Sequence, residues 1–272
     1  MQLKINDNVI VGNGKLTVLA GPCMAESLEI CMETGRYLKR ICSELGVNYV
    51  FKASYDKANR SSGNTERGPG RMAGLVMLQE VKNELNVPIV TDIHEVADVH
   101  DTAQVADILQ IPAFLCRQTD LLHAAGASGR AVNIKKGQFM APEDMQGAIE
   151  KVLAAGNNRV MVTERGTTFG YHNLVVDMRS LAIMKKFGVP VVFDATHSVQ
   201  LPGGNGSCSG GQREFVAPLA RAAAAVGLDA LFIEVHPNPD KALSDGPNSL
   251  SFEQAYQVIK EVKAIYEYVG TL

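Results

Sequence analysis

The sequence predicts an α/β protein built from repeated strand–helix units. Short apolar runs rich in β-branched residues recur along the 272 residues, and longer stretches of helical period separate them. No low-complexity segment or shift in composition divides the chain. This alternation is typical of βα units that share one sheet or one barrel.

The chain contains eight such runs. They are LTVLAG (16–21), VNYVFKAS (47–54), VPIVTD (87–92), DILQIPA (107–113), RAVNIK (130–135), NRVMVTE (158–164), VPVVFDA (189–195) and ALFIEVH (230–236). Between runs, residues 27–46 and 213–227 read as helices that stop at a glycine. Because AGPCMAES lacks the glycine pattern of a dinucleotide-binding turn, we favour a closed (β/α)8 TIM barrel over an open sheet. We expect one barrel domain over residues 1–272.

The first 15 residues predict a separate small element. LKINDNVIVGNGKL contains two short alternating segments around NDN, which indicates a β-hairpin. We expect this hairpin to close the bottom of the barrel.

Composition narrows the classes of partner. A formal net charge of −3 does not favour nucleic acid or an anionic membrane surface. No run approaches the roughly 20 apolar residues of a membrane span, and the opening residues do not resemble a signal peptide. The five cysteines are scattered singly, which is typical of a reducing compartment. We expect a soluble cytoplasmic protein.

Polar residues gather where the predicted strands end, which is where barrels of this class place their active sites. The candidates are Cys23, Lys52, Ser54, Lys57, Asn59, Arg60, Ser61, Asp92, His94, Gln110, Arg117, Lys135, Arg165, His197, Glu234 and Asp245. Taken singly, each lysine or arginine in this set can be explained as a solvated loop residue. Together these cations repel one another unless anions lie among them, and they are the usual partners of phosphate and carboxylate groups.

Cys23, His197, Glu234 and Asp245 form a second constellation. In a closed barrel the eighth strand lies between the seventh and the first, so the four residues follow adjacent strands. Thiolate, imidazole and carboxylate groups can hold Zn²⁺, Fe²⁺, Mn²⁺ or Co²⁺, and the donor set does not choose among them. A buried structural cysteine and a Cys–His nucleophile pair remain open alternatives. Cys31, Cys42 and Cys208 read as structural. The glycine-rich residues 200–214 read either as a lid over the site or as a mobile loop.

Several blocks resemble the 3-deoxy-D-manno-octulosonate 8-phosphate synthase family. They are AGPC, FKASYDKANRSS, TDIHE, QIPAFLCRQTDLL, VNIKKGQF, TERGTTFGYHNLVVD, DATHSVQLPGG and ALSDGPNSL, in order along nearly the whole chain. The resemblance implies a homotetrameric barrel that condenses phosphoenolpyruvate with D-arabinose 5-phosphate and releases phosphate during lipopolysaccharide biosynthesis. KANRSS departs from the KPRTS of the sister heptulosonate 7-phosphate synthases, which use erythrose 4-phosphate and are the alternative.

The resemblance also implies roles for individual residues. Lys57, with Lys52 and Ser54, meets the phosphoenolpyruvate carboxylate. The phosphoenolpyruvate phosphate is expected to bind Ala113, Lys135 and Arg165. The pentose phosphate is expected to bind Asn59, Arg60 and Ser61, together with Arg117 of a neighbouring subunit. Gln110 and Gln200 complete the substrate contacts. Catalytic candidates are Lys57, Asp92, His94, His197, Glu234 and Asp245.

The metal-independent class of this family carries asparagine where this chain has Cys23. Cys23, His197, Glu234 and Asp245 all match the metal-dependent class, so the resemblance implies a divalent metal cofactor. Three rival functions remain. They are a Schiff-base aldolase on Lys135 or Lys136, a thiol hydrolase on Cys23 and His197, and a sugar-phosphate binding protein without turnover.

Overall fold

The computed structural model describes residues 2–59, 63, 65–204 and 209–272. Within these residues eight parallel strands form a closed barrel, as predicted. They are β1 (Thr17–Gly21), β2 (Asn48–Lys52), β3 (Ile89–Asp92), β4 (Ile108–Ile111), β5 (Ala131–Lys135), β6 (Val160–Glu164), β7 (Val191–Asp194) and β8 (Ala230–Glu234). Each strand pairs with the next along the chain, and β8 closes the barrel by pairing with both β7 and β1.

A helix follows each barrel strand. The helices are α1 (Leu28–Glu44), α2 (Arg71–Leu85), α3 (Val99–Val105), α4 (Thr119–Ala127), α5 (Met145–Ala154), α6 (Arg179–Lys185), α7 (Val216–Val226) and α8 (Phe252–Val269). No helix in the described ranges is long and apolar enough to cross a membrane.

The two helices expected from their glycine stops are present. Ser27 caps α1 by accepting a hydrogen bond from the Ile30 amide, and Gly46 follows the helix with a φ of +65°. The second helix begins later than predicted, because residues 213–215 form a short 3₁₀ turn ahead of α7. Pro218 has no N–H to donate to the carbonyl of residue 214, so an α-helix that starts at residue 213 would lose a hydrogen bond there.

The predicted hairpin is also present, and it closes the N-terminal end of the barrel. Leu3–Lys4 pairs antiparallel with Ile10–Val11. The buried hairpin side chains form one apolar cluster with the inward-facing strand residues. Its members are Leu3, Ile5, Val9, Val11, Leu19, Val50, Val90, Ile108, Ala131, Met161, Val192, Ala230 and Phe232. This cluster fills the lower half of the barrel.

The barrel interior changes from apolar to charged along the strand direction. Successive side chains of a strand alternate between the interior and the surrounding helices. Two residues beyond Val50, Val90 and Val192, the next inward positions are therefore Lys52, Asp92 and Asp194. All three are buried. A second, larger apolar core lies between the outer face of the strands and the helices.

Candidate active site

A cavity of about 330 Å³ opens at the carboxyl end of the barrel. Most of the residues predicted for the site line it. Those residues are Lys52, Lys57, Asn59, Asp92, Gln110, Ala113, Lys135, Arg165, His197, Gln200 and Asp245. The structure therefore brings together side chains that the sequence scatters over nearly 200 positions.

Three further candidates are buried against this lining. Ser54 bonds to Lys57 and Asp92, Glu234 bonds to Lys52, and Cys23 bonds to Asp245. His94 and Arg117 are placed differently. The His94 ring packs edge-on against Tyr55, 5.8 Å between centroids, while Arg117 is exposed, and neither lines the cavity. Arg60 and Ser61 lie outside the described residues, as does Cys208.

A chain of hydrogen bonds crosses the barrel beneath one side of the cavity. Lys57 Nζ donates to Ser54 Oγ (3.1 Å), and Ser54 donates to Asp92 Oδ2. Gln110 Nε2 donates to Asp92 Oδ1 (2.6 Å), and Gln110 Oε1 accepts a hydrogen bond from Asn133 Nδ2 (2.9 Å). Every member except Lys57 is buried. The side chains are therefore fixed before any ligand arrives.

The charge of Asp92 follows from its neighbours. Burial acts to raise its pKa, but the ammonium groups of Lys52 and Lys57 outweigh burial and hold the pKa well below its usual range. Burial likewise acts to lower the pKa of Lys57, and the acidic groups around it, including Glu234 and Asp92, raise it above its usual value. Lys57 therefore enters the site as a cation and Asp92 as a carboxylate.

The protein itself supplies part of the negative charge that the clustered cations require. Lys135 Nζ bonds to Asp194, and Lys52 Nζ bonds to Glu234 Oε1 at 2.8 Å. Arg165 donates through Nη2 to Gln200 (3.0 Å). Its Nη1 is buried and has no hydrogen-bond partner among the described residues. Leaving a buried guanidinium N–H without a hydrogen-bond partner costs free energy. Arg165 Nη1 can therefore donate a hydrogen bond to an anionic ligand.

Cys23, Glu234 and Asp245 offer ligand atoms that lie within 4.8 Å of one another. His197 Nε2 lies 3.7 Å from Glu234 Oε1 and 4.0 Å from Asp245 Oδ2. On the opposite side of the ring, Nδ1 lies 2.8 Å from Asp194 Oδ2. A carboxylate on one ring nitrogen is the usual arrangement that turns the other nitrogen towards a metal.

The electrostatics of this cluster fit a cation. Burial, and then the charge of Glu234, raise the pKa of the Cys23 thiol well above its usual value. Glu234 Oε2 is buried with no hydrogen-bond partner in the described part of the chain. A divalent ion would satisfy that oxygen and stabilise the thiolate. The Cys23–Glu234–Asp245 set is therefore compatible with a divalent metal. A nucleophilic cysteine instead needs a lowered pKa, which disfavours the Cys–His nucleophile pair.

Two charged residues at the carboxyl ends of β5 and β6 face away from the cavity. Lys136 and Glu164 are both buried, and Glu164 accepts a hydrogen bond from Ser180 of α6. Their neighbours Lys135 and Arg165 face inward, so the alternation of side chains along β5 and β6 explains the difference. Sequence reasoning missed Phe114, Gln138 and Pro202, which also line the cavity.

Known proteins resemble this chain over nearly its whole length. Relatives named 2-dehydro-3-deoxyphosphooctonate aldolase include those of Syntrophotalea carbinolica, 59% identical over 97% of this chain and 95% of its own length, and Geobacter sulfurreducens, 54% identical over 97% of each. A third, from Desulfotalea psychrophila, is 54% identical over 94% of this chain and 91% of its own. The family described as DAHP synthetase I matches residues 1–269, and the chain belongs to this family.

Proposed function

We propose that the protein is an enzyme that condenses phosphoenolpyruvate and D-arabinose 5-phosphate with water. The products are 3-deoxy-D-manno-octulosonate 8-phosphate and inorganic phosphate. The observation that carries this proposal is the cavity at the carboxyl end of the barrel, which combines Lys57, Lys135 and the unused donor of Arg165. Relatives 54–59% identical carry the octonate name, so the heptulosonate alternative is not favoured.

The cationic groups would divide between the two substrates. Lys52, Ser54 and Lys57 lie on one side of the cavity and suit the phosphoenolpyruvate carboxylate. Ala113, Lys135 and Arg165 suit its phosphate, with Gln110 and Gln200 holding Asp92 and Arg165 in place. Fixing two mutually repelling anions in one orientation is the main contribution to rate that this arrangement offers.

The pentose phosphate would extend towards Asn59, Arg60 and Ser61. Arg117 is exposed and does not line the cavity of its own chain. An exposed arginine in that position can serve the site of another subunit, which is why we propose a homotetramer in which Arg117 reaches a neighbouring cavity. Among the residues that the structure describes, the four cysteines Cys23, Cys31, Cys42 and Cys116 are free thiols, which supports action in the reducing cytoplasm.

The proposed reaction begins when C3 of phosphoenolpyruvate attacks the aldehyde carbon of arabinose 5-phosphate. Positive charge develops at C2 of phosphoenolpyruvate, and a water oxygen adds there. The C2–O bond to phosphate then breaks, the electron pair leaves with the phosphate, and the water oxygen becomes the ketone carbonyl of C2. Of the two protons lost by that water, one is balanced by protonation of the former aldehyde oxygen and the other by protonation of the released phosphate. Lys135 and Arg165 stabilise the departing phosphate oxygens. Of the acid and base candidates, Asp92 lines the cavity and Glu234 is buried against it, whereas His94 does not line it. Asp92 is held as a carboxylate, the form that accepts a proton.

We further propose that Cys23, His197, Glu234 and Asp245 together hold a divalent metal. When bound, such an ion would act as a Lewis acid on an oxygen of the aldehyde or of the water. Asp194 would fix the His197 ring through Nδ1, and Lys52 would bind Glu234 Oε1 and leave Oε2 free. The structure does not favour one metal over another.

Product analysis tests the reaction against its rivals. We expect one phosphate released for each octulosonate 8-phosphate formed from arabinose 5-phosphate, and little product from erythrose 4-phosphate. A Schiff-base aldolase would instead be trapped by borohydride on Lys135. Failure to release phosphate with either sugar phosphate, despite tight binding of both substrates, would indicate a binding protein and contradict the proposal.

A further inference from the structure

On the helix-facing side of the barrel, Lys136 and Glu164 form an ion pair that the proposed reaction does not use. Lys136 Nζ lies 3.5 Å from Glu164 Oε1, and each residue is only 1% exposed. Two buried charges are unfavourable unless their remaining donors and acceptors are satisfied with good geometry. The contacts of each partner therefore show what the pair holds in place.

Glu164 holds the backbone that carries Arg165. Its Oε1 accepts hydrogen bonds from the amides of Arg165 (2.9 Å) and Gly166 (2.6 Å), and Oε2 accepts one from Ser180 Oγ of α6 (2.5 Å). Two consecutive amides around one anion form a concave cradle. Gly166 has a φ of +93°, which glycine adopts without strain, and this turn lets both amides point at the same oxygen.

Lys136 joins this turn to the loop after β5. Its Nζ donates to Thr167 Oγ1 at 2.9 Å and lies 3.4 Å from the carbonyl oxygens of Gly166 and Met140. The backbone amide of Lys136 also donates to the carbonyl of Thr163 on β6 (2.8 Å). The loops after β5 and β6 are therefore fixed to each other at this lysine.

The Lys136–Glu164 ion pair lies directly behind two cations of the cavity. Lys135 directly precedes Lys136, and Arg165 directly follows Glu164, while Lys135 and Arg165 line the cavity. Neighbouring side chains along a strand face opposite sides of it. The Lys136–Glu164 pair therefore fixes the same backbone that carries Lys135 and Arg165. This salt bridge faces away from the cavity, and neither of its residues lines it.

We propose that Lys136 and Glu164 are positioning residues that set the spacing of Lys135 and Arg165, and thereby the affinity of the site for the phosphate of phosphoenolpyruvate. This inference rests on the proposed function. If Lys135 and Arg165 are displaced, binding of phosphoenolpyruvate weakens, while the contacts proposed for arabinose 5-phosphate stay the same.

The variants that test this inference are Glu164→Ala, Glu164→Gln and Ser180→Ala, with Glu150→Gln as the control. Glu150 is exposed on α5, so its change removes the same charge without disturbing the loops. Initial rates give KM and kcat for each substrate, and calorimetry gives the affinity for phosphoenolpyruvate alone. Thermal unfolding checks that each variant is folded.

We expect Glu164→Ala to raise the KM and Kd for phosphoenolpyruvate about tenfold or more, by analogy with small misplacements of binding groups elsewhere. The KM for arabinose 5-phosphate should change less than about twofold, the split expected when one binding contact is lost. Glu164→Gln keeps an oxygen for both amides and should recover most of the affinity. Ser180→Ala should show a smaller loss in the same direction, and it carries the test if Glu164→Ala does not fold.

Equal increases in KM for both substrates would indicate general structural damage and overturn the inference. Unchanged affinity for phosphoenolpyruvate in Glu164→Ala would overturn it as well. In both cases the wild-type enzyme still turns over, so the proposed function stands. If the wild type neither binds nor consumes phosphoenolpyruvate, the proposed function and the inference fail together.

Discussion

Lys52 and Glu234 form a buried ion pair whose loss should have a large effect on stability. Lys52 Nζ lies 2.8 Å from Glu234 Oε1, and the two side chains are 1% and 0% exposed. Lys52→Met keeps most of the side-chain volume but leaves a carboxylate buried without its cation. Breaking a buried pair in this way costs about 3–5 kcal/mol. For a chain of 272 residues, that corresponds to a fall in Tm of roughly 5–9 °C.

The measurement is thermal unfolding in EDTA, so that no added cation reaches Glu234. Lys263→Met is the matched control, because Lys263 pairs with Glu267 at 2.9 Å on the surface of α8. That exposed pair is worth only about 0.3–0.5 kcal/mol. If a divalent metal binds Glu234 as proposed, adding it should reduce the deficit of Lys52→Met and leave the control unchanged. Equal losses of Tm in the two variants would refute the buried-pair account.

Two further substitutions test other parts of the structure. Cys23→Ala should lose bound metal and most activity. The control Cys42→Ala should keep both, because Cys42 is a buried thiol on α1 whose pKa burial raises to about 12. Metal analysis and phosphate release measure the two effects, and a fully active, metal-free Cys23→Ala variant would contradict the proposed metal site. Asp98 accepts hydrogen bonds from the amides of His94 and Glu95, which outweigh burial and hold its pKa below the usual 3.8. Since the stabilisation from a lowered pKa is present above that value and is lost as pH falls, Asp98→Asn should lose on the order of 1 kcal/mol in urea unfolding at pH 7. That difference should narrow as the pH falls from 5 to below 3.8, and a difference independent of pH would contradict the assignment.

The barrel could be predicted because its strands carry a local signal. Each run of β-branched and apolar residues corresponds to a strand, and polar residues such as Asp92 and Asp194 mark the strand ends. The hairpin was predictable for the same reason, since both its turn and its alternating apolar residues are local in sequence.

The direction of individual side chains was harder to predict. Lys135 and Lys136 are chemically alike, and only the parity of β5 within the barrel decides which one faces the cavity. His94 lies two residues beyond β3, where its amide bonds to Asp98 and its ring packs on Tyr55. The first contact depends on the turn ahead of α3 and the second on the loop after β2, so the strand pattern alone could not place the ring.

Contacts between distant loops left no signal in the sequence. Glu26 accepts a hydrogen bond from the amide of Leu243 at 2.8 Å, which holds the loop of Asp245 against the loop after β1. Asp245 itself has a φ of +50°, a conformation uncommon for aspartate. Neither feature follows from spacing or composition, because both depend on how β8 and β1 pair when the barrel closes.

The decisive measurement for the proposed reaction is phosphate release from phosphoenolpyruvate and arabinose 5-phosphate, before and after EDTA and with divalent metals added back. We expect phosphate release that is lost with EDTA and restored by metal, together with formation of octulosonate 8-phosphate. No phosphate release from the metal-loaded protein would contradict the proposed reaction. Full activity in protein that metal analysis shows to be metal-free would contradict the proposed role of Cys23, His197, Glu234 and Asp245.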